Sequence, residues 1–175
     1  GNFIRARLVH RLDKDTDWLM IVAKTEKWLQ LFKSLFQEKS ESSSLEEKES
    51  TPLQKYYRAT CEITPKWSEF LVEMKKIWLP YYIHEIVVAK VPNCMPKMWI
   101  MKVLSYEEIG NWLVKMQLQI LTWRTHQIRY HLSNHWLPIQ WDYLYGREDE
   151  NIPMQLTAWK LEYLDLDDKM QVVEI

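Results

Sequence analysis

Glycine is nearly missing from this 175-residue chain. It occurs at Gly1, Gly110 and Gly146 only, where ordinary usage would supply about twelve. A chain that turns sharply therefore does so almost without the residue that turns most freely. Cysteine is as scarce. Cys61 and Cys94 form no CxxC pair, which excludes a disulfide framework and a cysteine-based metal knuckle. Two buried thiols in a reducing cytoplasm are the expectation. No apolar run approaches the ~18–20 residues of a membrane span, and the opening "GNFIRARLVHRLDKDT" is too polar for a signal peptide. Neither sign of charge dominates. The net charge of −1 leaves a local basic patch for nucleic acid open.

What is abundant is tryptophan, with 10 residues. If nine of them stood for glycine, both counts would return to ordinary values. Hydrophobic residues make up 47% and charged residues 27%, enough for a core with a polar surface. The length suits one domain, expected to act as a monomer.

Periodicity outlines the elements. "LMIVA" (19–23) reads as a buried strand. Thr25 can cap a helix over 26–37, where Leu29, Phe32 and Phe36 recur at helical spacing. "QKYYRATCEI" (54–63) and "YYIHEIVVAK" (81–90) read as strands. In "LVKMQLQIL" (113–121), Val114, Met116, Leu118 and Ile120 face one way and Lys115, Gln117 and Gln119 the other. Residues 125–135 read as a helix and 154–164 as a last strand. The Ser- and Glu-rich run "EKSESSSLEEKES" is too polar to bury apolar surface, so 38–52 is expected to be a flexible surface insertion. Hairpin-like strands with two clear helices imply an α+β fold with a mostly antiparallel sheet.

Three segments carry chemistry. "HRLDKDT" (10–16) places Asp13 two residues after Arg11. A carboxylate beside a fixed cation can serve as nucleophile or base, though alone the pair reads as a surface salt bridge. "QKYYRAT" offers Tyr56 and Tyr57, which face opposite sides of a strand, and aromatic rings stack on nucleobases. "LTWRTHQIRYHLSNHWLPIQWDYLYG" (121–146) brings Arg124, Thr125, His126, Gln127 and Arg129 together at a helix start, suited to phosphate or carboxylate partners. His126, His131 and His135 lack the glutamate of HExxH and any nearby cysteine, so no metal is expected.

In order, these segments resemble the RluA-type pseudouridine synthase family. The first is similar to its HRLDxxTSGLLLVAKT motif, the second to KxYxA, and the third to GRTHQIRxHLxxxGxPIxGDxxYG. "LTAWKLEY" resembles the family's closing strand, with Thr157 where His is more frequent. The resemblance implies the pseudouridine synthase catalytic fold, a mixed sheet flanked by helices. It implies isomerisation of uridine to pseudouridine in structured RNA, ribosomal or transfer, in the cytoplasm, without cofactor or metal. Asp13 matches the catalytic aspartate. Arg11 matches the arginine that holds the target nucleotide out of its stack, with His10 beside it. Tyr57 matches the tyrosine packed on the flipped base and placed for proton abstraction at carbon 5. Arg129 matches the arginine paired with the aspartate, expected within about 4 Å of Asp13. Arg124, Thr125, His126, Gln127 and Ile128 match the motif's substrate-binding stretch. A non-catalytic RNA-binding or RNA-chaperone remnant of the same fold is the alternative.

Two departures accompany the resemblance. The family's first strands with their NKPxG segment, and the S4-like domain often found upstream, are not seen, so residues 1–175 read as a partial catalytic domain. Trp18, Trp123, Trp136 and Trp141 fall on family glycines. A bacterial gene that uses UGA for glycine, read with a table giving tryptophan, produces this pattern. Trp28, Trp67, Trp78, Trp99 and Trp112 would be further cases, and Trp159 a genuine tryptophan. Returning the four motif positions to glycine is expected to raise the melting temperature and open the cleft. Trp136 is expected in a left-handed turn closing helix 125–135.

Overall fold

The computed structural model describes residues 6–66, 79–87, 97–146 and 152–175. Trp67, Trp78, Cys94 and the end of the strand expected over 81–90 lie outside them. Three short strands come first: β1 (Arg7–Leu8), β2 (Asp17–Trp18) and β3 (Val22–Ala23). Then follow α1 (Glu26–Glu41), α2 (Leu45–Ser50), β4 (Gln54–Glu62), β5 (Tyr81–Val87), β6 (Lys97–Gly110) and β7 (Leu113–Ile120). The chain closes with α3 (Gln127–Asn134), β8 (Leu156–Leu164) and β9 (Met170–Glu174). The main sheet has seven strands in the order β2-β8-β4-β7-β6-β5, with β9 also on β8. All its pairings are antiparallel except β2 with β8. β1 and β3 form a separate antiparallel ribbon.

The two-residue period decides which face is covered. Val114, Met116, Leu118 and Ile120 of β7 are buried, and Tyr57 and Ala59 of β4 pair opposite Leu118 and Met116. On this face α3 adds Ile128 and Leu132 to one core cluster. α1 adds Phe32 and Leu35 to a second, with Leu53 and Leu161. Each such side chain contributes about 1.5–3 kcal/mol when fully buried. The opposite face stays polar: the Tyr56 hydroxyl donates to Glu162 at 2.7 Å, and Arg58 stacks over Trp159 at 4.0 Å.

Several elements differ from expectation. The apolar run 19–23 serves two ladders: Leu19 N–H donates to the Ala158 carbonyl at 3.1 Å, while Val22 pairs with Leu8. Residues 38–52, expected to be flexible, are helical over most of their length. α1 continues to Glu41, and Ser44 with Glu47 forms a capping box for α2. The lysines make this order. Lys39, fully buried, donates to the Leu53 carbonyl at 3.0 Å and to Gln54 Oε1, and Lys48 donates to the Ser42 carbonyl. Serines that signalled disorder supply caps, and glutamates occupy the first turn of α2. β6 escapes a periodicity reading because a register shift between Val103 and Ser105 breaks its alternation.

Tryptophans occupy turns that ask for glycine. Gly110 pairs with Leu113, leaving Asn111-Trp112 as a two-residue hairpin loop with φ of 52° and 61°. Positive φ at both loop residues marks the turn that Asn-Gly favours most. At the end of α3, Trp136 has φ of 62°; its N–H donates to the Ser133 carbonyl at 3.0 Å, and Leu137 N–H to the Leu132 carbonyl at 2.9 Å. That is a Schellman closure with tryptophan at its left-handed position. Trp141 has φ of 61°. Trp18 and Trp123 do not have positive φ. Trp18 lies in β2, and Trp123 packs against both core clusters.

Candidate active site

A cavity of about 300 Å³ opens on the covered face, between α1 and the start of α3. The loop after β1 contributes His10, Arg11 and Asp13; β4 contributes Lys55 and Tyr57; the segment entering α3 contributes Trp123, Arg124, Thr125, Gln127 and Ile128. Asp13 stands in a tight turn, its carbonyl accepting from Thr16 N–H at 3.1 Å and Asp15 taking φ of 66°. Gln127 pins the other wall: it accepts from the Thr122 hydroxyl (2.8 Å) and Arg124 N–H (3.2 Å) and donates to the Ile100 carbonyl (2.8 Å). Its role is to hold the α3 entry against β6.

Tyr57 lies 5% exposed in the cavity wall. Burial, helped by the Asp13 charge, pushes its phenol well above the ordinary range.

Two sequence-derived residues stand elsewhere. His126 points its Nδ1 toward the Tyr145 hydroxyl, 3.3 Å away, and does not line the cavity. Arg129, expected to pair with Asp13, instead makes a bidentate ion pair with Asp142: Nε to Oδ2 at 2.8 Å and Nη2 to Oδ1 at 2.6 Å. Both residues are almost wholly buried. Asp142 also accepts from Leu144 and Tyr145 N–H groups. Burial works against the Arg129 charge, but the Asp142 carboxylate, with a smaller contribution from Asp13, outweighs it and raises its pKa. The pair therefore ties α3 to the 139–146 turn, with Asp13 near enough to act through space rather than by contact. Asp142 and Lys55 were the residues not singled out, although each stands in a quoted motif, "WDYLYG" and "QKYYRAT".

Comparison with known proteins bears on the family and the fold. Residues 2–134 match the family model described as RNA pseudouridylate synthase. Ribosomal large subunit pseudouridine synthase C of Vibrio cholerae is 32% identical over 141 residues, covering 79% of this chain and 38% of that protein. An uncharacterized RNA pseudouridine synthase of Aquifex aeolicus is 28% identical over 158 residues, covering 90% and 45%. This chain thus spans less than half the length of these curated relatives. Among solved structures, human RNA pseudouridylate synthase domain containing 1 superposes with a TM-score of 0.72 at 21% identity, over 98% of this chain and 69% of that one. Human domain containing 4 gives 0.68 at 18%, over 100% and 72%. These last two bear on the fold alone. With the family model matched across most of its length, the chain belongs to the RluA-type RNA pseudouridine synthase family.

Proposed function

We propose that this chain isomerises uridine to pseudouridine in structured RNA, with Asp13 as the covalent catalyst. The observation that carries the reading is the meeting of Arg11 and Asp13, from one short segment, with Tyr57, far along the chain, in one cavity large enough for a nucleobase. Asp13 attacks the target nucleotide, Arg11 and Arg124 hold its phosphates, and Tyr57 packs on the extruded base. Arg129 acts from behind, ordering the wall through Asp142 and adding positive potential near Asp13. The names of the relatives make large-subunit ribosomal RNA the first substrate to try and transfer RNA the second. The reaction proceeds without cofactor or metal, in a cytoplasmic monomer. Release of tritium from RNA labelled at carbon 5 of uridine is the direct assay, and no release from either RNA class would sink the reading.

A second reading, RNA binding without turnover, is favoured by one observation: Trp123, on a family glycine, fills part of the cavity wall. It gains weight from the recoding reading, in which Trp112, Trp136 and Trp141 stand at glycine conformations because UGA codons specify glycine. The codons at positions 18, 112, 123, 136 and 141 decide that point; UGG at any of the three left-handed positions contradicts it.

A further inference from the structure

Three residues that line the cavity each hold a buried side-chain atom without a hydrogen-bond partner among the described residues: Trp123 Nε1, Arg124 Nε and Thr16 Oγ1. A buried polar group left unpaired is costly, so each asks for a partner. The first two only donate. Arg124 belongs to the guanidinium that turns to phosphate, and Trp123 stands where the family has glycine. A hydroxyl both donates and accepts, and the reaction above gives Thr16 no task. Thr125, the other threonine of the cavity, is exposed and satisfies its hydroxyl with water. The Thr16 hydroxyl is shut off from solvent.

The place of Thr16 in the chain decides what reaches it. Thr16 closes a four-residue turn that begins at Asp13: its N–H donates to the Asp13 carbonyl at 3.1 Å. Asp15, third of the four, takes positive φ as in a type II turn. The first and last Cα atoms of such a turn lie within ~7 Å of each other. Directly after it, Asp17 pairs with Thr157 of β8, which fixes the turn to the main sheet. One step between staggered χ1 wells exchanges the threonine methyl and hydroxyl, so the hydroxyl can turn to a group held beside Asp13.

In the isomerase reading, Asp13 attacks the nucleotide close to its glycosidic bond. Two polar groups of a uridine flank that bond. The O2 carbonyl only accepts. The ribose 2′-hydroxyl donates and accepts, as threonine does, and by it a protein tells RNA from DNA. Arg11, Arg124 and the Trp123 indole already supply donors for carbonyl and phosphate oxygens. Thr16 adds an acceptor that carries no charge.

We propose that Thr16 reads the ribose 2′-hydroxyl of the target nucleotide, a specificity contact beside the catalytic aspartate; this rests on the isomerase reading above. The contact separates RNA from DNA at the residue that reacts. Phosphate contacts do not, because both polymers carry the same phosphates.

A cycle of protein and substrate variants on the full chain tests this. Hairpin fragments of large-subunit ribosomal RNA are made with their uridines as ribonucleotides or as 2′-deoxyuridines, and are otherwise unchanged RNA. The wild type is expected to prefer the ribonucleotide form in kcat/KM. Thr16→Val is expected to shrink that preference about 10-fold, through loss on the ribonucleotide form. Thr16→Ser is expected to keep it. Because Thr16→Val removes an unpaired buried hydroxyl, its melting temperature is expected to equal or exceed that of the wild type. An equal loss on both sugars, or a preference that the valine variant retains in full, overturns the proposal. Fluorescence anisotropy of the same fragments separates this contact from the isomerase reading. A sugar preference in Kd that Thr16→Val abolishes, without turnover by any variant, overturns isomerisation and leaves the 2′-hydroxyl contact standing. Neither turnover nor preference overturns both.

Discussion

At the residue scale, the buried Arg129–Asp142 pair and the cavity carboxylate Asp13 have separable jobs. Removing one partner of a buried pair leaves the other charged and unsolvated. Asp142→Ala is therefore expected to destabilise the fold by about 3–5 kcal/mol, read as a lower midpoint in urea. It also frees the Leu144 and Tyr145 N–H groups that the carboxylate accepts from. Asp13→Asn, in a half-exposed turn that needs only the backbone carbonyl, is expected to leave the urea midpoint within about 0.5 kcal/mol of wild type. Its effect falls on chemistry: pseudouridine formation is lost while RNA affinity stays within several-fold, because phosphate contacts dominate binding. Turnover by the Asn variant comparable to wild type would place the chemistry at another residue.

At the element scale, the turns carry a testable strain. Trp112, Trp136 and Trp141 hold positive φ, where a β-carbon costs on the order of 1–2 kcal/mol. Glycine at each relieves that cost, less about 0.5–1 kcal/mol for its freer unfolded chain. The triple glycine variant is expected to melt several degrees higher, since about 1 kcal/mol shifts a domain of this size by roughly 2–4 °C. Trp112 is 77% exposed and Trp136 48% exposed, so little packing is lost there. Trp123 behaves oppositely. It stacks edge-on to Phe36 at 5.0 Å and touches both core clusters, so Trp123→Gly is expected to lower the melting temperature while enlarging the cavity. Differential scanning calorimetry of the two variants separates these signs. A triple variant that melts lower shows those indoles to be packed native residues.

At the scale of the whole molecule, pH couples to stability through its buried histidines. His10 is lowered to about 4 by burial and the nearby Lys55. His131 is lowered to about 4 by burial and His135, even with the Glu85 carboxylate 3.5 Å away. A folded pKa below the unfolded value of about 6.5 means that the unfolded chain binds more protons between those limits. The part of the stability tied to these two rings is therefore fully present above about pH 6.5 and declines as pH falls toward 4. Urea midpoints at pH 7.5, 6 and 4.5 are expected to decrease in that order, and His10→Gln to flatten the slope. A flat profile in the wild type would mean that neither ring is held neutral by the fold.

Much of this was legible in one dimension because it is local. The alternation of Val114 to Ile120, the cap at Thr25 and the left-handed stop at Trp136 follow from backbone geometry within a few residues. The motif order named the cavity residues His10, Arg11, Asp13, Tyr57, Arg124, Thr125, Gln127 and Ile128, since one segment each supplies them. Non-local facts belonged to the tertiary structure. Whether Arg129 meets Asp13 or Asp142 depends on where the 139–146 turn packs, which no spacing encodes. Residues 38–52 are ordered because Lys39 reaches carbonyls beyond the run itself, although its composition reads as disorder. The charge of Lys55 depends on His10, Ile21, Phe36 and Trp123 closing around one amine, and a protonation state set by burial exists only once the chain has folded.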